Sequence, residues 1–280
     1  MAPLPSTRFI ALLSVFAALL SYKIVTASSD NTQQPLRLDN DDYACQHPPY
    51  KVLMVSKSPL VIYISNFLTP EERGHLQSVT KDTFTRSGIT TDRGSTGHSD
   101  TVRTSQSTSV ARDAVVRCIE DRALAFQGYD TPRTHLEPLQ LVKYGPTERY
   151  HYHTDWFTDV SAGGHATAAQ GGNRVSSFFA YVYVANDTTG GGTNFPHLDA
   201  PRDERWCEQG WVDCDEMWEN GVTFRPVEGN AIYWENLDSK GRGDERTLHA
   251  GLPVTGGGKI GMNIWTREGV ISEAIRGPDV

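Results

Sequence analysis

Three histidines in the chain are each followed two residues later by an aspartate. In an extended strand this spacing places an imidazole and a carboxylate on the same side. Such a pair, joined by one distant histidine, provides two imidazoles and one carboxylate on one face of a metal ion, a ligand set typical of mononuclear Fe(II) sites. Spacing alone does not choose among the pairs, which are His98 with Asp100, His153 with Asp155, and His197 with Asp199.

Sequence context favours His153 and Asp155. They follow a segment that begins with the extended stretch 139–144, and a strand can hold metal ligands rigidly. By contrast, His98 lies in a polar loop and His197 follows a Phe-Pro pair, so neither has a strand leading into it. For an isolated His-x-Asp, the end of a solvent-facing hairpin remains the simpler alternative.

The C-terminal half supplies two further features. His249 ends the segment Arg246-Thr-Leu-His249, and Lys259 follows it by ten residues, at the start of the apolar run 260–265. If a dicarboxylic keto acid chelated the metal, its far carboxylate would need a fixed cation, which such a lysine supplies. A lysine that protects a strand edge from aggregation is the alternative. Because the three features coincide, we predict one site that contains all of them.

The first half of the chain predicts helices. Residues 60–64 indicate a strand, and Thr69-Pro-Glu-Glu72 has the residues of a capping box for a helix that should run to about Phe84. A second amphipathic helix is expected from Val115 to about Gly128. The intervening segment 87–109 is rich in Ser, Thr and Gly and indicates a long loop rather than a buried element.

The second half predicts strands separated by glycine-rich turns, within residues 139–144, 175–184, 230–234 and 259–265. Strands without intervening helices favour an antiparallel fold. We therefore expect an α+β chain, built as a jelly roll (a double-stranded β-helix) with the N-terminal helices packed on one sheet.

Over roughly residues 56–270 the sequence resembles the prolyl 4-hydroxylase family of Fe(II)- and 2-oxoglutarate-dependent dioxygenases, most of all its short fungal members. The residues that carry this resemblance are Tyr144-Gly145…Tyr150-x-x-His153-x-Asp155, Arg246-Thr-x-His249-Ala-Gly-x-Pro253 with Lys259 and Trp265, Arg174, Gly191-Gly192-Thr193-Asn-Phe-Pro196, and Val102-Arg103-Thr104-Ser105.

The resemblance implies a role for each matched residue. His153, Asp155 and His249 would be the catalytic iron ligands. Lys259 would bind the distal carboxylate of 2-oxoglutarate, with Tyr144 and Thr193 adding hydroxyl hydrogen bonds. The substrate would be lined by Tyr150, Arg174 and Trp265, together with Arg103 in a loop that closes over the peptide. Ascorbate is expected as a further cofactor, and the reaction would consume O2 and release succinate and CO2.

Two features depart from the family pattern. The stretch from His197 to Thr223 is longer than the usual turn and contains Cys207 and Cys214. In addition, the chain lacks the separate peptide-binding domain of the animal collagen enzymes. The substrate therefore remains open between peptidyl proline and a small metabolite, which the long stretch could favour by narrowing the cleft. A jelly-roll binding module without catalysis is a third alternative.

The N-terminus predicts entry into the secretory pathway. Arg8 precedes the apolar run 9–20, and small residues end the segment, so we interpret residues 1–27 as a signal peptide or a signal anchor. Residues 28–48 are polar and acidic and indicate a flexible linker before a dioxygenase domain at 49–275. We expect location in the endoplasmic reticulum lumen or outside the cell, with a membrane anchor as an alternative.

The charge and the cysteines fit that location. The formal net charge is −8, which argues against a nucleic-acid partner. Four cysteines make disulfides plausible: Cys207 and Cys214 could close a small loop, whereas Cys118, on the apolar face of a helix, is expected to be a buried core residue. Asn186 heads the single glycosylation sequon.

Overall fold

The computed structural model describes residues 43–90, 96–99, 101–128, 130–158, 165–199, 204–215 and 220–277. The expected signal segment at 1–27 and the expected linker up to residue 42 lie outside these ranges. Within the described ranges, no helix combines the length and the apolar character needed to cross a bilayer.

The chain forms many strands and few helices. The strands are β1 (Lys51–Lys57), β2 (Leu60–Ser65), β3 (Thr85–Arg86), β4 (Ile89–Thr90), β5 (Thr96–Gly97), β6 (Gln106–Ser109), β7 (Gln140–Tyr144), β8 (Tyr150–His153), β9 (Arg174–Val184), β10 (Thr189–Gly190), β11 (Thr193–Phe195), β12 (Val222–Phe224), β13 (Ala231–Glu235), β14 (His249–Gly251), β15 (Val254–Gly256) and β16 (Lys259–Arg267). The α-helices are α1 (Pro70–Thr80), α2 (Ala114–Gln127), α3 (Glu204–Glu208) and α4 (Glu273–Arg276).

Two antiparallel sheets contain most of these strands. The larger has eight strands in the order β1-β2-β13-β9-β16-β7-β6-β3, and the smaller has four in the order β12-β11-β14-β8. Both contribute to one buried cluster, in which Phe179 and Trp234 of the larger sheet meet Phe195 and Phe224 of the smaller one. The predicted α+β jelly roll is therefore confirmed.

Strand β9 shows how the larger sheet separates two cores. Phe178, Ala180 and Val182 pack with the helices, whereas Phe179 and Tyr181 pack toward the smaller sheet. Successive side chains of a strand point to opposite faces, so an unbroken apolar run fills both cores at once. The face that points away from the helices is the one available for a site.

Helices α1 and α2 cover the outer face of the larger sheet, as predicted. Thr69 caps α1 in a capping box with Glu72, and α2 ends at Gly128, whose φ of 74° is readily adopted by glycine.

Helix α1 ends at Thr80 rather than near Phe84. The hydroxyl of Thr83 lies 2.9 Å from that of Thr108 in β6, and the chain turns there into strand β3.

The segment expected to be a long loop, 87–109, is partly buried. It contributes β6 to the larger sheet, and Arg103 and Ser105 are only 7% and 0% exposed. Its hydroxyl groups bond to one another, as between Ser87 and Ser105 at 3.1 Å, so polar side chains are satisfied inside the fold. Composition alone therefore gave the wrong expectation here.

Cys118 is a buried core residue, as expected, but it also forms a disulfide with Cys45 that the sequence analysis did not predict. The bond ties the segment 43–48 to α2, where Arg122 also donates a hydrogen bond to the carbonyl of Gln46. This part of the chain is consequently fixed to the domain rather than part of a flexible linker. The small loop that Cys207 and Cys214 could close is present as a second disulfide.

The two disulfides should contribute unequally to stability. The first spans 73 residues and the second 7. Loop entropy then predicts that replacing Cys45 and Cys118 with serine lowers the free energy of unfolding by about 4 kcal/mol, against about 2 kcal/mol for Cys207 and Cys214. Urea unfolding followed by tryptophan fluorescence measures both. Equal losses in the two paired variants would contradict the prediction.

Candidate metal centre and active-site cleft

Strand pairing in the smaller sheet brings the two predicted histidine ligands together. His249 in β14 lies directly opposite His153 in β8. Asp155 follows β8 and approaches both rings: its Oδ1 lies 3.9 Å from Nε2 of His153 and its Oδ2 lies 3.9 Å from Nε2 of His249. One ligand atom from each residue falls within 4.8 Å of the others. These distances suit a single metal ion.

Backbone carbonyls set the tautomer of both histidines. Nδ1 of His153 lies 2.8 Å from the carbonyl oxygen of His151, and Nδ1 of His249 lies 2.9 Å from that of Thr247. A carbonyl can only accept, so each Nδ1 carries the hydrogen. Each Nε2 therefore directs a lone pair toward the centre of the cluster, as a metal ligand must.

The carboxylate of Asp155 is held by the larger sheet. Its Oδ2 accepts hydrogen bonds from the hydroxyl of Ser177 at 2.7 Å and from the indole of Trp265 at 3.0 Å. The amide of Asn236 donates to the Ser177 hydroxyl at 2.9 Å, which directs the hydroxyl hydrogen toward Asp155. Because Oδ2 is occupied in this way, Oδ1 is left to bind a metal.

The protonation states also suit a metal. Burial acts to raise the pKa of Asp155, but His249, His153 and Arg174 outweigh it and hold the pKa below its usual range. Burial, followed by the charge of His249, lowers the pKa of His153. At neutral pH Asp155 is thus ionised and His153 neutral, which are the forms that coordinate a cation.

Lys259 lies at the start of β16 and is 1% exposed. Its Nζ donates to the carbonyl of Gly191 and lies 4.7 Å from the centre of the Tyr144 ring and 5.7 Å from that of Tyr181. Burial lowers its pKa to about 7, and in the described part of the chain no carboxylate offsets this effect. An ammonium in such surroundings is suited to an anionic ligand.

Hydroxyl groups lie near this lysine. The hydroxyls of Tyr181 and Thr193 are 2.8 Å apart, and Tyr144 and Thr193 both line the cleft. The sequence analysis identified Tyr144 and Thr193 but missed Tyr181. A dicarboxylate with a keto group fits this donor set, because one carboxylate can meet Lys259 while the other end reaches the metal ligands.

The opposite wall of the cleft is aromatic and cationic. The ring of Tyr150 stacks on that of His153 at a centroid distance of 3.6 Å, and the guanidinium of Arg103 lies 4.4 Å from the centre of the Tyr150 ring. Arg103 also donates to Ser105 and to the carbonyl of Gly88. Its Nη2 is buried and has no partner within the described residues, so this donor is available to a ligand.

Arg174, predicted to face the substrate, is held by an acid that the sequence analysis did not identify. It donates to both oxygens of Glu137, at 2.7 and 2.8 Å, and its guanidinium lies 3.7 Å from the centre of the Trp265 ring. Arg267 donates to the same carboxylate at 2.6 Å. Burial acts to raise the pKa of Glu137, but the two arginines outweigh it and keep the pKa low. Glu137 thus fixes the plane of Arg174 above Trp265.

A cleft of about 380 Å³ joins these groups. It is lined by the three metal-ligand candidates and by every residue predicted to bind co-substrate or substrate except Lys259, which lies behind Tyr144. No described residue between His197 and Thr223 lines it. That stretch instead places Trp206 and Val212 in the core between the sheets, so it does not narrow the cleft as one alternative required.

The other two His-x-Asp pairs do not join the cluster. His197 and Asp199 are exposed in the turn after β11. His98 is exposed and its Nδ1 bonds to the carbonyl of Ser87, while Asp100 lies outside the described residues. The choice of His153 and Asp155 from strand context agrees with this geometry.

The fold and this site define a jelly-roll dioxygenase that uses Fe(II) and 2-oxoglutarate. Residues 139–267 match the 2OG-Fe(II) oxygenase superfamily. Prolyl 4-hydroxylase 2 from Arabidopsis thaliana is 33% identical over 221 residues, which cover 78% of this chain and 70% of the relative. Probable prolyl 4-hydroxylase 4 from the same plant is 29% identical over 219 residues, with coverage of 78% and 70%.

The chain belongs to the prolyl 4-hydroxylase family. Among solved structures, the 2OG complex of the viral collagen prolyl hydroxylase from Paramecium Bursaria Chlorella virus-1 is 21% identical, with a TM-score of 0.49 and coverage of 80% of this chain and 99% of that chain. The narrower resemblance to short fungal members stays a prediction.

The support of Asp155 by Ser177 can be tested through metal binding alone. Ser177→Ala removes one of the two donors to Oδ2, so we expect Fe(II) affinity to fall about tenfold while the fold is retained. Anaerobic Fe(II) titration measures this. Ser176→Ala is the matched control, because the Ser176 hydroxyl bonds to Gln127 on the helix side of β9. Equal metal affinity in the two variants would contradict the assigned role of Ser177.

The buried lysine predicts a pH dependence. Only the protonated amine attracts a carboxylate, and the pKa of Lys259 is about 7 before the anion binds. As the pH rises above 7 the protonated fraction falls, so the apparent Kd for 2-oxoglutarate should increase about tenfold per pH unit until the pKa of the complex is reached.

Calorimetric titration between pH 6 and 9 tests this dependence. The Lys259→Arg variant is the control, since arginine stays charged over that range and its Kd should not change with pH. A wild-type affinity that is constant across the range would show that Lys259 does not govern the binding.

Proposed function

We propose that the protein hydroxylates proline residues in peptides. The observation that carries the proposal is the wall above the metal cluster, formed by Tyr150, Trp265, Arg174 and Arg103. A proline residue has no backbone N–H and offers a ring face and carbonyl acceptors. Aromatic faces beside the buried Nη2 of Arg103, which has no partner among the described residues, match that chemistry. The names of the Arabidopsis relatives support the same substrate class.

Each site residue then has a proposed role. His153, Asp155 and His249 hold Fe(II), with Oδ1 of Asp155 as the carboxylate ligand. Bound Fe(II) and 2-oxoglutarate supply the activation of O2, during which the keto acid is converted to succinate and CO2. Ser177 and Trp265 keep the Asp155 carboxylate oriented through their hydrogen bonds to Oδ2.

The distal carboxylate of 2-oxoglutarate is assigned to Lys259, with the hydroxyls of Tyr144 and Thr193 beside it. Because Lys259 is fully enclosed, it excludes water from that end of the cleft and fixes the co-substrate at one distance from the metal ligands. Ascorbate is proposed as the reductant that keeps the metal in the Fe(II) state.

The peptide remains on the open side of the cleft. Tyr150 and Trp265 would place the pyrrolidine ring above the metal, and Arg174 and Arg103 would donate to substrate carbonyls. The hydrogen bonds to Glu137 hold the guanidinium of Arg174 over the Trp265 ring. We therefore propose that Arg174 both supports Trp265 and contacts the substrate. A small-molecule substrate has less support, because no described residue of the long stretch 197–223 narrows the cleft.

We also propose that the protein works in the secretory pathway. The two disulfides support this location, because such bonds form and persist mainly in oxidising compartments. Asn186 is exposed in the turn between β9 and β10, where a glycan can be attached. The apolar segment at residues 9–20 is consistent with this location, either as a cleaved signal or as an anchor.

One experiment tests the reaction and the substrate class together. The purified protein is incubated with Fe(II), 2-oxoglutarate, ascorbate and a proline-rich peptide library, and products are examined by mass spectrometry. We expect a mass gain of one oxygen atom on proline, with one succinate formed for each hydroxylation. His249→Ala should lose iron binding and succinate production while the circular dichroism spectrum stays unchanged.

Other outcomes would be informative. Succinate production by His249→Ala at the wild-type rate would exclude His249 as an iron ligand. Oxidation of small molecules but of no peptide by the wild-type protein would contradict the proposed substrate class and leave the metal site intact.

A further inference from the structure

The last described turn of the chain reaches the mouth of the cleft. Ile275 in α4 lines the cleft with Asn263, Trp265 and Arg267 of β16. Its side chain is 48% exposed. This turn lies C-terminal to the residues that match the oxygenase superfamily, which end at 267. An apolar side chain, half open to solvent, thus lines the same cleft as Trp265, which is proposed to face the substrate.

Contacts on both sides of Ile275 fix its backbone. The N–H of Ile271 donates to the carbonyl of Thr134 at 2.9 Å, and the side chain of Ile271 is only 2% exposed. One residue beyond Ile275, the carbonyl of Arg276 accepts a hydrogen bond from buried Arg112. The short helix is therefore anchored at both ends.

Arg112 is itself held in place. Its Nε donates to Glu120 at 2.8 Å, and another of its nitrogens, Nη2, donates to the carbonyl of Leu136 at 3.2 Å. Through these hydrogen bonds Arg112 connects α4 to α2 and to the segment that leads into β7. The position of Ile275 is consequently determined by the core of the domain rather than by a free terminus.

Such an arrangement favours contact with a ligand. Because the backbone is already ordered, packing against Ile275 costs little additional conformational entropy, and it removes the remaining apolar surface from water. Val270 provides a comparison on the same segment: it is 59% exposed but does not line the cleft.

We propose that Ile275 is a specificity-determining residue that packs against a substrate side chain flanking the reactive proline and selects an apolar residue there. The inference rests on the proposed prolyl hydroxylation. It adds the C-terminal turn, which lies outside the metal and co-substrate sites, to the substrate-binding surface.

The test uses peptides with one proline, in which each flanking position in turn carries Leu, Ser, Lys or Asp. KM and kcat are measured for the wild type and for Ile275→Ala, Ile275→Asp and Val270→Asp. At one flanking position the wild type should prefer Leu. Ile275→Ala should raise KM for that peptide roughly three- to tenfold with kcat unchanged, since about half of an isoleucine side chain is no longer buried.

The charged variants show whether the contact is direct. Ile275→Asp should shift the preference at the same position from Leu to Lys, whereas Val270→Asp should keep the wild-type preference. The KM for 2-oxoglutarate should be the same in all four proteins, because Ile275 is not among the groups around Lys259.

Three results would overturn the inference. An unchanged preference in Ile275→Asp, or the same shift in Val270→Asp, would show that Ile275 does not contact the flanking residue. A changed KM for 2-oxoglutarate would indicate a general disturbance of the cleft. If the wild type hydroxylates no peptide at all, the proposed prolyl hydroxylation itself fails. This outcome is distinguishable from failure of the Ile275 inference, because it is seen in the wild type without any variant.

Discussion

The pair of hydrogen bonds to Oδ2 of Asp155 is the constraint on which the rest of the site depends. Asp155 follows a strand of the smaller sheet, but its donors, Ser177 and Trp265, come from two adjacent strands of the larger sheet. The carboxylate therefore links the two sheets at the metal cluster. A buried carboxylate without such donors would be costly to ionise, and an incorrectly oriented one would present two oxygens to the metal instead of one. The relative position of the sheets thus enters directly into the geometry of the metal ligands.

The two-residue period of the strands separates the functions of neighbouring side chains. In β9, the hydroxyl of Ser176 bonds to Gln127 of α2, while the hydroxyl of Ser177 bonds to Asp155. In β16, Ile264 packs in the core beneath the helices, and Trp265 reaches the metal cluster. A shift of either strand by one residue would exchange these roles, so the helix-covered core, which is large and apolar, fixes the register that the site requires.

Site residues that are marked by a local sequence pattern could be predicted, whereas those whose roles depend on contacts between distant segments could not. His153, Asp155, His249 and Lys259 could be identified because strand patterns and spacing in the sequence indicate where rigid elements begin and end. Glu137 and Ser177 could not, since their roles arise only when β9 and β16 lie side by side, which local sequence does not determine. One signal was present: the adjacent serines at the start of an otherwise apolar strand. The disulfide of Cys118 was missed for a related reason, because its partner lies on a segment whose composition indicates a linker.

The charges in the cleft explain why the site can be both buried and stable once its cofactors bind. In the described site Asp155 is the carboxylate directed at the metal and Lys259 is an ammonium without an acid partner, whereas the single carboxylate of Glu137 lies between two guanidinium groups, those of Arg174 and Arg267. A divalent metal and a doubly charged keto acid add equal and opposite charge, and Asp155 and Lys259 cancel one another. Fe(II) is therefore attracted to Asp155 and the keto acid to Lys259, and the two cofactors together add no net charge to the buried site. Binding of one cofactor alone leaves an imbalance in a low-dielectric space. This gives an electrostatic reason for Fe(II) and 2-oxoglutarate to strengthen each other's binding.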